Sequence, residues 1–138
     1  MKERLQSIVL IDDDPANNYL MEIFLREEIQ FRGNCVSLNS MKEGLAHLQQ
    51  LAADHQSFPS LILLDVNMPG KGGFDLLDAV KREGLIQQQH TKVIMFSAMV
   101  YDALLEQGKR YAEVLGVVEK DFSNQQLRKV IETYFSIN

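Results

Sequence analysis

Cysteine is almost absent from this chain: its 138 residues include one, Cys35. A lone thiol cannot close an intramolecular disulfide, so the sequence suits a reducing compartment. Cys35 lies in the strand-like run Cys35-Val36-Ser37-Leu38 with no histidine beside it, which fits a small core residue better than a nucleophile. Long hydrophobic runs are missing too. Nothing approaches the roughly 20 apolar residues of a membrane span, and Met1-Lys2-Glu3-Arg4 opens onto no signal-peptide hydrophobic region, so a cytoplasmic location is expected. There is no basic cluster and the formal net charge is −5. Direct binding to nucleic acid or membrane is therefore not expected, and protein partners are. Repeats, low-complexity tracts and linkers are likewise lacking. Residues 1–138 read as one domain, large enough to bury roughly two thirds of the surface its unfolded chain exposes.

The stretch that is present and informative is Leu61-Ile62-Leu63-Leu64-Asp65-Val66-Asn67-Met68-Pro69-Gly70. Its short apolar run, too brief for a helix and stopped by Pro and Gly, predicts a strand buried on both faces with Asp65 at its exit. Similar runs recur along the chain. Ser7-Ile8-Val9-Leu10-Ile11 is followed by Asp12-Asp13-Asp14-Pro15 and a helix carrying Leu20, Ile23 and Phe24, with Asp14 as N-cap and Pro15 at the first helical position. Cys35–Leu38 predicts an edge strand. A second helix opens on the capping box of Ser40 and Glu43 and carries Leu45, Leu48 and Leu51. Gly70, Gly72 and Gly73 turn the chain into a third helix with Phe74, Leu77 and Val80 on one face. No Gly-Lys-Ser/Thr follows these glycines, so a phosphate-cradling P-loop is not indicated. Gln87-Gln88-Gln89-His90 reads as loop or frayed helix end.

Val93-Ile94-Met95-Phe96 is a further buried strand, stopping at Ser97-Ala98. Val100, Leu104, Tyr111 and Leu115 mark a fourth helical stretch interrupted by Gly108. Gly116-Val117-Val118 makes a fifth strand ending at Glu119-Lys120. The last helix is predicted from a capping box of Ser123 and Gln126, with Leu127, Val130, Ile131, Tyr134 and Phe135 at helical spacing. His47, His55 and His90 read as surface residues, and Met21, Met41, Met68, Met95 and Met99 as packing.

Strict alternation of strand and helix calls for an α/β fold: one doubly wound, five-stranded parallel sheet with right-handed crossovers and helices on both faces. The order 2-1-3-4-5 is the common one for five such units, with the ligand crevice where strands 1 and 3 diverge. All strand C-termini then share one edge, which collects Asp12 and Asp13, Asp65, Ser97 and Lys120. Three carboxylates in one crevice repel each other unless some protonate or a cation joins them. An incomplete hard-oxygen set with room for a phosphate suits Mg²⁺. Asp13 and Asp65 are candidate ligands, with Asp12 holding a metal-bound water and the main-chain carbonyl of Asn67 adding an oxygen; either member of the acidic pair could be the inner-shell one. Taken alone, Asp12-Asp13-Asp14-Pro15 is equally a helix-capping turn, Ser97 a loop hydroxyl and Lys120 a surface charge. Together, a metal-bound Asp65 could accept a phosphoryl group, with Lys120 as the second cation.

The runs Val9–Pro15, Leu63–Phe74, Ile94–Ala98 and Val118–Lys120, in that order and each at a strand end, resemble the receiver domain of two-component response regulators, a CheY-like, flavodoxin-like family. The resemblance covers essentially the whole chain. It implies that Asp65 takes a phosphoryl group, with Mg²⁺, from a phosphohistidine on a sensor histidine kinase or histidine phosphotransfer protein. It further implies that the domain catalyses only its own phosphorylation and dephosphorylation, as a signalling switch rather than an enzyme. Asp12 and Asp13 look like the family's acidic pair, Ser97 like its switch hydroxyl and Lys120 like its lysine. Signalling through the face of helix 4, strand 5 and helix 5 to a downstream protein is implied, by a monomer or a phosphorylation-dependent dimer with no attached output domain.

Two residues depart from the family pattern. Asp121 stands where a proline, joined by a cis peptide, usually follows the lysine. A cis bond before a non-proline residue would cost about 2.5–4 kcal/mol, so a trans bond is expected and the reach of Lys120 to Asp65 is put in question. Val117 stands where the family often carries an aromatic that turns inward with the switch hydroxyl, and the sequence leaves open whether the nearby Tyr101 substitutes for it. These departures motivate a second function, a receiver-like protein-interaction module that works without phosphorylation. A third, an aspartyl phosphatase or flavin binder, fits less well. Asn67 replaces the second Asp such a phosphatase wants, and the three Asp residues after strand 1 would repel a flavin phosphate.

Overall fold

Leu61–Asp65 is the middle strand of a five-stranded parallel sheet, and all five of its residues are buried. The computed structural model describes residues 2–70, 72–86, 90–121 and 123–137. In chain order its elements are β1 (Glu3–Arg4), β2 (Ser7–Ile11), α1 (Pro15–Ile23) running into a π-helical turn (Phe24–Glu28), β3 (Asn34–Leu38), α2 (Met41–Ala53), β4 (Leu61–Asp65), α3 (Gly73–Arg82), β5 (Lys92–Ser97), α4 (Asp102–Gly108), β6 (Val114–Glu119), α5 (Gln125–Tyr134) and β7 (Phe135–Ser136). The sheet order is β3-β2-β4-β5-β6. Because the short β1 precedes the first sheet strand, this is the expected 2-1-3-4-5 arrangement with each number raised by one.

Strand periodicity of two splits the core between the faces. Ile8, Leu10, Leu61, Leu63, Ile94, Phe96 and Val118 point to one side, where Phe24, Leu25, Leu127, Ile131 and Phe135 cover them. Val9, Ile11, Ile62, Leu64, Val93, Met95 and Val117 point to the other, under Leu48 of α2, Leu76, Leu77 and Val80 of α3 and Leu104 of α4. Cys35 is half-buried beside the first cluster, and burial, then Glu22, pushes its thiol up to about 11, which makes it a poor nucleophile.

Two helix starts are built as their sequences require. Asp14 accepts the Ala16 N–H at 2.9 Å with Pro15 beginning α1, and Ser40 accepts the Glu43 N–H at 3.0 Å while Glu43 accepts that of Asn39 at 3.4 Å. After β4, Gly70 takes φ +78°, a turn conformation that a side chain would strain.

Several expectations are corrected. The fourth helix ends at Gly108, Tyr111 lies in a turn, and Leu115 belongs to β6, which begins at Val114. The apolar spacing there reflects tertiary contacts: the Tyr111 ring lies 5.5 Å from that of Phe74, and its hydroxyl donates to Asp78 at 2.7 Å. The last helix starts one residue later than a Ser123 cap would place it, after Asn124 at φ 50°. Gln126 does not close a capping box but accepts the Glu119 N–H at 3.2 Å. Phe135 leaves the helix for β7, which pairs with β1. In α1, Leu20 and Ile23 are exposed while the polar Asn18 is buried, the reverse of what apolar spacing suggests. Met99 is exposed rather than packed and His47 is half-buried, whereas His55 and His90 are at the surface. Gln87, Gln88 and Gln89 lie outside the described residues.

Candidate functional site

β2 and β4 are neighbours, in register from Ile8↔Leu61 to Ile11↔Leu64, so the residues that follow each strand emerge side by side. Asp12 continues the ladder by donating its N–H to the Leu38 carbonyl at 3.1 Å, and its Oδ1 accepts the Asp14 N–H at 3.0 Å. Asp65 is 3% exposed and its Oδ1 accepts the Asn67 N–H at 3.2 Å. From the far side of β5, Lys120 brings its Nζ to 3.2 Å from Asp65 Oδ1 and 3.2 Å from Asp12 Oδ2. The Lys120 backbone is tied to β5 through its N–H, which donates to the Ser97 carbonyl at 2.9 Å.

The Asp121 departure therefore does not keep Lys120 from the site. No cis peptide occurs among the described residues, as expected for Lys120-Asp121. The Asp121 carboxylate is engaged with its own loop, accepting the Asn124 N–H at 2.7 Å and the Ser123 hydroxyl at 2.9 Å.

Asp12, Asp13 and Asp65 each offer a carboxylate oxygen, and these lie within 4.8 Å of one another. Asp13 is exposed and Asp12 partly so, leaving the cluster open on the solvent side. Three carboxylates face one ammonium, and the charge imbalance shows in the acidity of the innermost group. Burial, reinforced by the Asp12 charge, pushes Asp65 up to about 6, against the lowering pull of Lys120 and the Asn67 N–H. Burial opposes the charge of Lys120, yet Asp12 and Asp65 outweigh it and raise its pKa. The donor set, its crowding and its surplus negative charge fit a hard divalent cation such as Mg²⁺.

Ser97 is buried beside this edge, and its hydroxyl donates to the Met99 carbonyl at 2.7 Å rather than to Asp65. Val117 is buried on the α4 side of the sheet, and Tyr101 is exposed at the start of α4. Asn67 supplies its N–H to Asp65 as described.

Asn18 belongs to this site although no motif or apolar spacing marks it. It is 4% exposed, and its Nδ2 lies within hydrogen-bonding distance of the carbonyls of Leu38 and Asp12 and of Asn39 Oδ1, at 3.0, 3.3 and 3.1 Å, stitching the ends of β2 and β3 under the acidic pair. The available signal was a poor helix former in an early turn of α1. A cavity of about 1010 Å³ runs from Asp12, Asp65 and Lys120 down between α1 and α5, past Leu20, Ile23 and Arg128.

A parallel α/β sheet with an acidic cluster and one lysine gathered at the carboxyl ends of its strands defines a class, the doubly wound proteins that bind ligands at a topological switch point. Within that class the chain belongs to the response regulator receiver domain family, whose model matches residues 8–132. No curated protein matches it. Among solved structures it is similar to a two-component response regulator from Cytophaga hutchinsonii at 24% identity and a TM-score of 0.81, covering 96% of this chain and 98% of that one. It is also similar to the chemotaxis protein CheY4 of Vibrio cholerae, at 20% identity and a TM-score of 0.75, with 95% and 99% covered. A third neighbour is the response regulator protein TrrA of Thermotoga maritima in complex with Mg²⁺-BeF, at 21% identity and a TM-score of 0.70, with 94% and 99% covered. No helix among the described residues is long and apolar enough to cross a membrane.

Proposed function

We propose that this receiver domain is a phosphorelay switch in which Asp65 accepts a phosphoryl group from a phosphohistidine of a sensor histidine kinase or histidine phosphotransfer protein. The observation that carries the reading is the double contact of Lys120 with Asp65 and Asp12 beside Asp13. An Asp65 carboxylate oxygen forms the new bond to phosphorus as the bond to the donor imidazole nitrogen breaks, and the electron pair stays on the leaving imidazole. Lys120 is already within reach to pair with an oxygen of the transferred group. Asp13, Asp65 and the Asn67 carbonyl would hold Mg²⁺, with Asp12 on a bound water. When bound, the ion supplies charge neutralisation and in-line positioning, the main needs of phosphoryl transfer. The Mg²⁺-BeF complex of the Thermotoga neighbour supports this assignment. Later attack of water on phosphorus frees Asp65, so the domain catalyses its own loading and clearing and acts on no separate substrate.

The signal leaves through Ser97. Its hydroxyl exchanges the Met99 carbonyl for the phosphoryl group, and the loop into α4 moves. Met99, Tyr101 and Leu105 lie on that loop and helix at 69%, 56% and 38% exposure, apolar surface suited to a downstream protein in the cytoplasm. The domain works as a monomer or a phosphorylation-dependent dimer. The reach of Lys120 weighs against the alternative, a module that signals without phosphate.

Incubation with Mg²⁺ and acetyl phosphate, followed by mass spectrometry, should place one phosphoryl group on Asp65 in the wild type and none at that position in Asp65→Asn. Equal labelling of the two would overturn the reading.

A further inference from the structure

Lys120 must reach carboxylates just past β2 and at the last residue of β4 from a backbone position after β6, so the loop behind it has to be held. Asp121 Oδ1 accepts the Asn124 N–H at 2.7 Å and the Ser123 hydroxyl at 2.9 Å. Ser123 Oγ in turn accepts the Gln125 N–H at 3.4 Å, and Gln126 Oε1 accepts the N–H of Glu119, the residue before Lys120, at 3.2 Å. Of the residues on either side of Lys120, Glu119 is thus bonded to the first turn of α5 and Asp121 to the two residues that lead into it. Asn124 completes the bend at φ 50°, a conformation asparagine tolerates better than most residues.

We infer that Asp121 is a positioning residue for phosphoryl transfer: its carboxylate oxygen clasps the loop after Lys120 and so aims the ammonium at Asp65. It replaces by hydrogen bonding the restraint that a proline ring gives most of the family. The inference rests on the reading of Asp65 as phosphoacceptor. A long lysine side chain on an unrestrained loop has many rotamers, and keeping two contacts at once would cost that freedom.

The test compares wild type, Asp121→Ala, which deletes the acceptor, and Asp121→Asn, which keeps an acceptor oxygen and drops the charge. Phosphorylation by acetyl phosphate is followed at saturating Mg²⁺, Mg²⁺ affinity by calorimetry and folding by thermal melting. Asp121→Ala should be phosphorylated about fivefold more slowly, the scale of one lost intramolecular hydrogen-bonding partner. Its Mg²⁺ affinity should not fall, because Asp12, Asp13 and Asp65 are untouched and a less firmly aimed ammonium competes no harder for them. Asp121→Asn should run at or above the wild-type rate. The inference is overturned if the alanine variant keeps the wild-type rate or if the asparagine variant is as slow as the alanine one. It is equally overturned if rate, Mg²⁺ affinity and Tm all fall together, the signature of general loosening. A wild type that takes no phosphoryl group would instead remove the reading of Asp65, and this inference with it.

Discussion

The Lys120 ammonium stands 3.2 Å from an oxygen of Asp65, across the end of the strand that separates their two chain segments. Removing it as Lys120→Ala leaves Asp65 buried beside Asp12 with its main counter-charge gone. Phosphorylation by acetyl phosphate should slow about a hundredfold, the scale set by losing one preorganised charge at a reacting oxygen. Mg²⁺ should bind more tightly, since an ammonium no longer competes for the same carboxylates, and calorimetry would show it.

The raised pKa of Asp65 makes stability depend on pH in a defined direction. Its ordinary value is 3.8 and burial with the Asp12 charge lifts it to about 6. Without divalent ions the folded protein therefore keeps a proton that the unfolded chain has released over the interval from about 4 to about 6. Stability falls as pH rises through that window, by about 3 kcal/mol from this group. Urea denaturation should find Asp65→Asn more stable than wild type at about pH 8, with the difference vanishing by about pH 4.

Mg²⁺ should stabilise the folded state alone, because the three carboxylates come together only there. At a concentration one hundredfold above Kd the gain is about 2.7 kcal/mol, seen as a rise in Tm that a chelator reverses. Asp13→Ala removes one of the gathered oxygens and should shrink that rise.

On the proposed mechanism, a Ser97 variant should separate loading from signalling. Its hydroxyl donates to Met99 and makes no bond to Asp65, so Ser97→Ala should still be phosphorylated, with a stability loss of about 1 kcal/mol. The beryllofluoride-induced shifts in NMR spectra of Met99, Tyr101 and Leu105 should be lost.

Gly73 is packed against β4, the strand that ends at Asp65. A Cβ there would lie 2.5 Å from the Asp65 carbonyl oxygen and 2.9 Å from Met95 Cε. Gly73→Ala should destabilise the protein by about 1–3 kcal/mol in urea denaturation, as overpacking does.

Much of this was legible in the chain because it follows from local rules. Leu61–Asp65 reads as a buried strand from its apolar run, Asp14-Pro15 as a helix start from capping chemistry, and the alternation of such units leaves few arrangements other than a parallel sheet with its exits on one edge. The same rules misread α1, where Asn18 takes the inner position. They also misread α4, where Tyr111 seemed helical because it packs on Phe74. Both errors exchange a tertiary contact for a periodic one.

Residue types and spacing were thus sufficient to assign the five strands of the main sheet, their order and the acidic and basic groups at the strand ends. Whether Lys120 meets Asp65 and Asp12 despite Asp121, that Ser97 bonds to Met99, and that β1 pairs with β7 were settled by the folded arrangement alone. The reason is physical: the direction of a long side chain, and the partner of a short loop, depend on hydrogen bonds to residues distant in sequence or beyond the local period, which periodicity cannot encode.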